Sequence, residues 1–404
     1  MRVSQRRLRF GIDPSVEQAD ALVRWARDGN VAVLAEDATA AAEIAAQLGL
    51  DDSPSPETAY HPPAGLAEHP GGGVVLRTSG SSGRPKLVLR APAALDEEGD
   101  LVAARLELAP GDGILCCVPL HHAFGLGVGT LAARASGAVL TTANPRTPRA
   151  LTRMLAERPV RYLVASPAQI AHWSAGDAEL DVPARFPVVI TAGAPLGSAV
   201  ADRFRRRFGV YPAQQYGSTE TGSVTVDLSG GFTEGRVGRP YPRVEVVVSA
   251  AGRLVVRSGT VAVAYLGDPE ASRAAGLDRG EFVTQDLGAV DEAGDVVLLG
   301  RVDRIANIDG KKFDPGLIER SVSGDGVVAE FAVVLTTNPD GITESSWVYA
   351  SRDGDGADPH LRERAARLPA YQRPKRILRL DALPVSALGK VDHGALRSLV
   401  EGGH

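Results

Sequence analysis

The apolar positions of the chain fall into short runs that alternate with stretches of helical period. Val16–Arg27 repeats its apolar side chains on one face and predicts an amphipathic helix. VAVLAE at 31–36 predicts a strand, and the Ala-rich Ala38–Leu48 a second helix. Residues 51–73 are rich in Pro, Gly and Asp and predict a linker. The apolar triplet Val74, Val75 and Leu76 predicts a buried strand, followed by a helix over Ala93–Leu108 and a strand over Ile114–Pro119. The alternation continues through VLTTA, a helix over Pro148–Glu157, YLVAS, VVITAG and a helix over Ser198–Phe208. Strands separated by helices predict a layered α/β domain with mostly parallel strands.

From Val237 the texture changes to short β runs, VEVVVSA, RLVVRS, FVTQDLGAV and DVVLLG, which predict an antiparallel subdomain. A second boundary is expected near Gly300–Asp303. Beyond it EFAVVLTT, SWVYAS, a helix near Pro359–Leu368 and a last strand RILRL suffice for a small α+β unit. The expected fold class is therefore α/β: a large N-terminal domain over 1–302 with an antiparallel part, and a small α+β domain over 303–404.

Composition narrows the partners. A formal charge of −5 provides no basic field, so nucleic acid and anionic membrane surfaces are not expected. No apolar run reaches membrane-spanning length, and the arginines at the N-terminus precede no apolar signal core. Cys116 and Cys117 stand side by side in the apolar ILCCVPL and read as buried strand residues of a reducing compartment. A cytoplasmic protein is expected. Lysine occurs only at Lys86, Lys311, Lys312, Lys375 and Lys390, so arginine carries the generic surface role. A lysine that remains marks a place where a compact ammonium is wanted.

The chemistry begins at Val74–Lys86, VVLRTSGSSGRPK. Glycines let backbone N–H groups point into one concavity, hydroxyls add donors, and the ammonium adds charge; together they suit a polyphosphate. A flexible Ser/Gly surface turn is the reading that this stretch alone leaves open. It is not the GxxxxGK[ST] loop, because Leu87 follows Lys86. The order does resemble the [ST]SG[ST][ST]GxPK signature of the ANL superfamily of adenylate-forming enzymes, which includes acyl-CoA synthetases, adenylation domains and luciferases.

Further segments follow in the same family's order, and the resemblance covers roughly residues 74–397. It implies that Thr78, Ser79, Gly80, Ser81, Ser82, Gly83 and Lys86 hold the phosphates of ATP. PLHHAFGLG resembles the segment lining the acid pocket and puts His122, Phe124 and Gly125 there. ITAGAPL resembles the turn on which adenine rests, through Gly193, Ala194 and Pro195, with Ala192 facing the acid. QQYGSTETG resembles YG[ST]TE: Tyr216 would stack on adenine, Ser218 and Thr219 bond phosphate, and Gly217 and Gly222 leave room for the acyl group. Glu220, with Thr78, would supply oxygen to the Mg²⁺ that ATP brings. TQDLG resembles TGDLG and makes Asp286 the acceptor of the ribose hydroxyls, with Gln285 in place of glycine.

GRVDRIANIDGKKFDPGLIE resembles the segment joining two domains. Arg301 would reach ribose or phosphate, Asp303 would be the hinge, and Gly310 would line the thiol's tunnel. Asn307 stands where many relatives have lysine and some aryl-acid-activating ones have Asn. PVSALGKVDHGALR resembles the C-terminal PxTxxGKxxRxxL loop, with Lys390 as the catalytic lysine bridging carboxylate and phosphate.

The resemblance implies activation of a carboxylic acid by MgATP to acyl-AMP and pyrophosphate, then transfer to a thiol of CoA or of a carrier protein's phosphopantetheine. No Asp stands near His122 to pair with an α-ammonium, so aryl or short-to-medium acyl acids are expected. An amide or lactone synthetase, or a non-catalytic nucleotide-binding module, is the alternative. Residues 1–73 resemble a shortened form of the family's N-terminal region, which implies a shallow acid pocket or one completed in a homodimer.

Overall fold

The computed structural model describes residues 7–50, 66, 69, 71–78, 85–176, 179–308, 311–323, 328, 330–337, 343–350, 357–385 and 391–402. The predicted helix at Val16–Arg27 forms because Ser15 caps it reciprocally with Gln18. Its buried Ala19, Leu22, Val23 and Ala26 lie on one face.

Two sheets organise the large part of the molecule. The first joins β1 (Leu8–Ile12), β2 (Val31–Ala35), β3 (Gly73–Arg77), β4 (Leu87–Arg90) and a short late strand, Ala264–Tyr265, in that spatial order. The first three run parallel; β3 turns back antiparallel into β4, with Val74 opposite Arg90. Neither β1 nor β4 was expected from the apolar pattern. Leu87, which follows the loop's lysine, is a buried residue of β4 and joins the core between this sheet and the helix Ala38–Gln47.

The second sheet has eleven strands. Its parallel half contains β5 (Gly113–Cys116), β6 (Val139–Thr142), β7 (Tyr162–Ala165), β8 (Val188–Thr191) and β9 (Ala213–Ser218). Its antiparallel half contains β10 (Gly222–Val226), β11 (Arg236–Pro240), β12 (Glu245–Val248) and β13 (Arg253–Arg257). With Ala264–Tyr265 counted as β14, β15 (Glu281–Val290) and β16 (Val296–Arg301) complete it. The expected antiparallel subdomain is thus no separate body. It extends the parallel sheet, and the join is β9, parallel to β8 on one side and antiparallel to β10 on the other.

Alternation along the strands fixes the layers. Ile114, Cys116, Tyr162, Val164 and Ile190 face a core shared with the helix Pro92–Arg105 and the π-helical segment Gly125–Leu131. Leu115, Cys117, Leu163, Ala165 and Val189 face the opposite way, onto the helices Pro148–Glu157, Pro167–Ser174 and Ser198–Phe208. The helix Pro92–Arg105 and the π-helical segment also give Leu95, Leu126 and Leu131 to the core under the first sheet, so they form the layer between the two sheets.

Beyond Arg301 a one-turn 3-10 helix, Val302–Arg304, leads to the hairpin β17 (Ala306–Ile308) and β18 (Lys311–Phe313). A three-stranded sheet of β19 (Glu330–Thr337), β20 (Thr343–Ala350) and β21 (Arg376–Leu380) follows. The helices Pro315–Ser323 and Ala357–Arg367 pack on one face and His393–Gly402 on the other. The first and last of these helices were not expected. Among the described residues, the buried members of this part's apolar cores all lie from Ile308 onward, and those of the large part lie no further than Val296.

Candidate active site

The loop after β3 is closed at its base by two bonds: Thr78 N–H donates to the Lys86 carbonyl at 2.9 Å, and Lys86 N–H to Thr78 Oγ1 at 2.9 Å. Ser79, Gly80, Ser81, Ser82 and Gly83 lie outside the described residues. Exposed Lys86 holds its Nζ 4.3 Å over the ring of Tyr265. The Tyr265 hydroxyl donates to Glu220 Oε1 at 2.8 Å. Burial, with the Glu220 carboxylate beside it, raises the Tyr265 phenol far above its ordinary range, so it stays a donor. A cation, a phenol and a carboxylate from three distant parts of the chain meet at the mouth of one glycine-rich loop. Tyr265 was missed by the sequence reading; its AYLGDPE context offers only an apolar aromatic before a turn.

Glu220 sits on the tight turn between β9 and β10. The Ser218 hydroxyl accepts from the Glu220 and Thr221 amides at 3.2 Å each, so its lone pairs shape the turn. Thr219 beside it is half-buried. A Cβ on Gly217 would collide with the Gly222 carbonyl, so the hairpin itself demands glycine there. Glu220 Oε1 is engaged by Tyr265, and a carboxylate keeps further acceptor capacity. One hard oxygen on an ordered turn beside Lys86 fits Mg²⁺ carried in on phosphate oxygens. Among the described residues no cluster of three His, Cys, Asp or Glu side chains forms a dedicated metal cage.

One strand position earlier, buried Tyr216 donates its hydroxyl to Asp286 Oδ2 at 2.7 Å. Burial and the Asp286 charge push this phenol well above its ordinary range. Asp286 Oδ1 accepts from Arg301 Nη1 at 3.1 Å, and Arg301 grips Asp303 bidentately at 2.8 and 2.7 Å. Burial opposes the charge on Arg301, yet the two carboxylates hold its pKa above the ordinary value. Gln285 is exposed on β15, where the pairing with β13 shifts register between Val283 and Leu287. Arg304 faces the other way and makes two 2.7 Å bonds to Glu319. Asp303 therefore stands between one arginine tied to the large sheet and another tied to the small unit.

The rings of His121 and His122 lie 4.5 Å apart, tilted by 47°. Burial lowers both to about 4, with His121 adding to the effect on His122, so both are neutral near pH 7. His121 Nδ1 is 3.8 Å from Asp13 Oδ1, beyond hydrogen-bond length. Phe124 and Gly125 follow, buried, where the chain enters the π-helical turn, a distortion frequent at functional sites. Ala192 is buried at the carboxyl end of β8, and Gly193 and Pro195 beyond it are exposed, with Ala194 half-buried. Ligands of open α/β sheets sit outside such strand ends.

A second cluster went unread in the sequence. Arg90, at the end of β4, donates from Nη2 to Glu98 Oε2 at 3.0 Å, and both side chains are fully buried. Glu98 Oε1 accepts from Ser223 N–H at 2.8 Å and Ser223 Oγ at 2.9 Å. Gln215 Nε2 donates to the same hydroxyl at 3.0 Å. Gly222 has φ +65°, and a Cβ on it would collide with the Glu98 carboxylate. A Cβ on Gly127 would meet the same carboxylate. Arg90 Nε and Nη1 have no hydrogen-bond partner among the described residues.

A profile of the AMP-binding enzyme family matches residues 23–266. The chain belongs to that family. This AMP-binding enzyme is 29% identical over 348 residues to an indoleacetate–CoA ligase of Aromatoleum aromaticum, covering 81% of this chain and 67% of the relative. It is 31% identical over 341 residues to a p-hydroxybenzoic acid–AMP ligase of Mycobacterium tuberculosis, covering 79% of this chain and 48% of that one. Its fold matches that of ATP-bound MatB from Rhodopseudomonas palustris with a TM-score of 0.79 and 21% identity, over 99% of this chain and 90% of that one.

In this AMP-binding enzyme the fold brings Thr78, Lys86, Glu220, Tyr216, Asp286, Arg301 and Asp303 to the two edges of one hairpin. Gly310 and Lys390 lie outside the described residues. Among the described residues no helix is long and apolar enough to cross a membrane.

Proposed function

We propose that this AMP-binding enzyme activates a carboxylic acid, aryl or short-to-medium acyl, to acyl-AMP and pyrophosphate, and passes the acyl group to a thiol of CoA or of a carrier protein's phosphopantetheine. The meeting of Lys86, Tyr265 and Glu220 at the Thr78 loop carries this reading, within a family whose relatives are named as acid–CoA and acid–AMP ligases.

The triphosphate lies along the loop from Thr78 to Lys86, with Ser218 and Thr219 at its edge. Glu220, with Thr78, would hold Mg²⁺, which would supply neutralisation of the phosphate charge. Asp286 keeps acceptor capacity for the ribose hydroxyls beside Tyr216, and the Gly193–Pro195 turn underlies the adenine. A carboxylate oxygen attacks the α-phosphorus as the bond to the pyrophosphate oxygen breaks; Lys86 and Lys390 stabilise the negative oxygens. The thiolate then attacks the acyl carbon and AMP leaves, its carboxyl-derived oxygen retained.

The boundary is assigned at 302/303, with Asp303 as hinge. It is supported by apolar cores that share no residue and by Arg301 and Arg304 anchoring in opposite directions. A homodimer is proposed as the assembly: β6 is one of the two edge strands of the large sheet, and its Val139 is 57% exposed. Cytoplasmic residence is read from the free, buried Cys116 and Cys117.

ATP–pyrophosphate exchange over a panel of carboxylic acids, repeated with CoA, tests the activity. Acid-dependent exchange with thioester formed on adding CoA is expected; exchange with no acid removes the proposal. Amide or lactone in the absence of thiol redirects it to the synthetase alternative. Sedimentation at micromolar concentration reads the assembly, and a monomer removes the dimer.

A further inference from the structure

The small unit contains a groove that the activation chemistry does not use. It runs between the helices Pro315–Ser323 and Ala357–Arg367, which pack on one face of the three-stranded sheet, and its volume is about 380 Å³. Ile318, Val322, Trp347 and Leu368 give it an apolar lining. His360, Arg364 and Arg367 line it as well. They recur at i, i+4 and i+7 of one helix, so they form a single stripe along the groove. Among the described residues no acidic side chain lines it.

We propose that this groove binds a small organic carboxylate whose apolar body lies against the lining and whose charge is held by Arg364 and Arg367. The site lies wholly beyond Asp303 and shares no residue with the sites assigned to ATP, acid or thiol. It therefore stands or falls apart from the ligase reading.

The size of the groove suits a two-ring or medium-chain body, within the range of small-molecule sites. The apolar lining favours a body that gains by leaving water. The head group follows from the two arginines. Arg364 is held at the groove's edge, donating from Nη1 to the Ser321 carbonyl at 3.1 Å and from Nη2 to the Ser321 hydroxyl at 2.8 Å. Arg367 already holds a carboxylate, that of Glu363. The two side chains of that pair are 76% and 65% exposed, so the pair is weak, and a ligand carboxylate can take Glu363's place. A neutral molecule would leave the arginines to water, and a bare inorganic anion would leave the apolar lining unused.

The test uses the full-length protein and benzoylbenzoate, a photoreactive two-ring carboxylate. After irradiation the label is mapped by peptide mass spectrometry. Label in the helices Pro315–Ser323 and Ala357–Arg367 is expected, and excess naphthoate should suppress it while inorganic phosphate should not. The neutral analogue hydroxymethylbenzophenone should label these helices about tenfold less, because it lacks the charge-assisted bonds. R364Q/R367Q should lower labelling by benzoylbenzoate to the neutral level and leave pyrophosphate exchange unchanged.

Circular dichroism melts establish that the double variant folds. If it does not, the comparison of charged and neutral probes on the wild type decides. Label confined to residues before Asp303, equal labelling by both probes, or a folded double variant that labels like the wild type overturns the inference. Suppression by inorganic phosphate overturns the carboxylate assignment. A groove that takes no label while sedimentation shows a dimer that R364Q/R367Q dissociates overturns it in favour of a second copy of the chain. None of these outcomes touches the ligase activity, which pyrophosphate exchange reads separately.

Discussion

One hairpin touches two arginine–carboxylate clusters that differ in almost everything but their chemistry. On the β10 side Glu98 and Arg90 are sealed from water, and the carboxylate is saturated by Ser223. On the β9 side Arg301 is about a third exposed and shared between Asp286 and Asp303, with Tyr216 on the far oxygen of Asp286. Arg301's partners belong to consecutive parts of the chain that must part if the small unit moves. A desolvated pair is a fixed wall, since breaking it strands a charge in a medium that cannot solvate it. A half-solvated one can exchange partners, because water replaces whichever contact is lost. The same two residue types thus make a rigid contact on one side and an exchangeable one on the other.

The largest expected effect follows from that contrast. Glu98→Ala should destabilise the fold by about 3–5 kcal/mol, because Arg90 is left charged and buried. Asp303→Ala should cost less than about 1 kcal/mol, since water reaches Arg301. Urea denaturation of both proteins measures the gap. Equal losses would mean that burial does not distinguish the clusters.

A second test reads the buried side by pH. Burial holds His121 and His122 near 4. The unfolded chain, with histidines near 6.5, therefore takes up protons first as the pH falls. Stability is intact above about pH 6.5, is lost as the pH drops toward 4, and changes no further from these groups below that. Between pH 7 and pH 5 the loss should be about 2 kcal/mol for each histidine that stays neutral. His122→Gln should flatten its share of the slope. An unchanged slope would assign the loss to other groups.

The exposed side is tested by motion. Asp303→Pro fixes φ in the Val302–Arg304 turn and restricts Val302 before it. Acyl-AMP formation should stay within a few-fold of wild type while capture of preformed acyl-adenylate by thiol slows by about tenfold. Asp303→Ala, which removes the ion pair without stiffening the backbone, should slow capture less. Lys390→Ala should show the reverse pattern, losing adenylation and keeping thiol capture. Equal loss in both half-reactions for both variants would leave no alternating lid.

The two clusters were not equally legible. Lys86, Glu220, Asp286 and Arg301 were singled out because their motifs resemble family segments that keep fixed residue types in a fixed order on loops. The helices Val16–Arg27 and Ser198–Phe208 were readable from their period. Arg90 and Glu98 looked like an ordinary arginine after a loop and an ordinary helical glutamate. Only tertiary packing turns them inward, and only Gly222 and Gly127, whose missing Cβ atoms accommodate the carboxylate, mark them in the sequence. β1 and β4 were missed for a related reason: LRFGI and LVLR are too short for period to separate strand from loop. The eleven-stranded sheet was split in the reading because β9 changes partner direction, a pairing fact that no single strand encodes.

The smallest expected effect belongs to Tyr265, which ties the loop to the Glu220 carboxylate. Its hydroxyl donates to Glu220 Oε1, and its ring lies under the Lys86 ammonium. Tyr265→Phe keeps the ring and removes the donor. The carboxylate is half-buried and water can take the vacated place, so the loss should be about 1 kcal/mol, a few-fold in pyrophosphate exchange. Glu220→Gln keeps the shape and removes the charge that suits a hard cation, so it should lower exchange further and be partly rescued by raised Mg²⁺. Tyr265→Phe should show a smaller Mg²⁺ dependence of the same sign, because a misoriented carboxylate still carries its charge. Titrating Mg²⁺ against exchange rate for both variants separates orientation from charge. If Glu220→Gln were indifferent to Mg²⁺ while Tyr265→Phe was strongly impaired, the phenol would contact the reacting groups itself, and Glu220 would serve only to aim it.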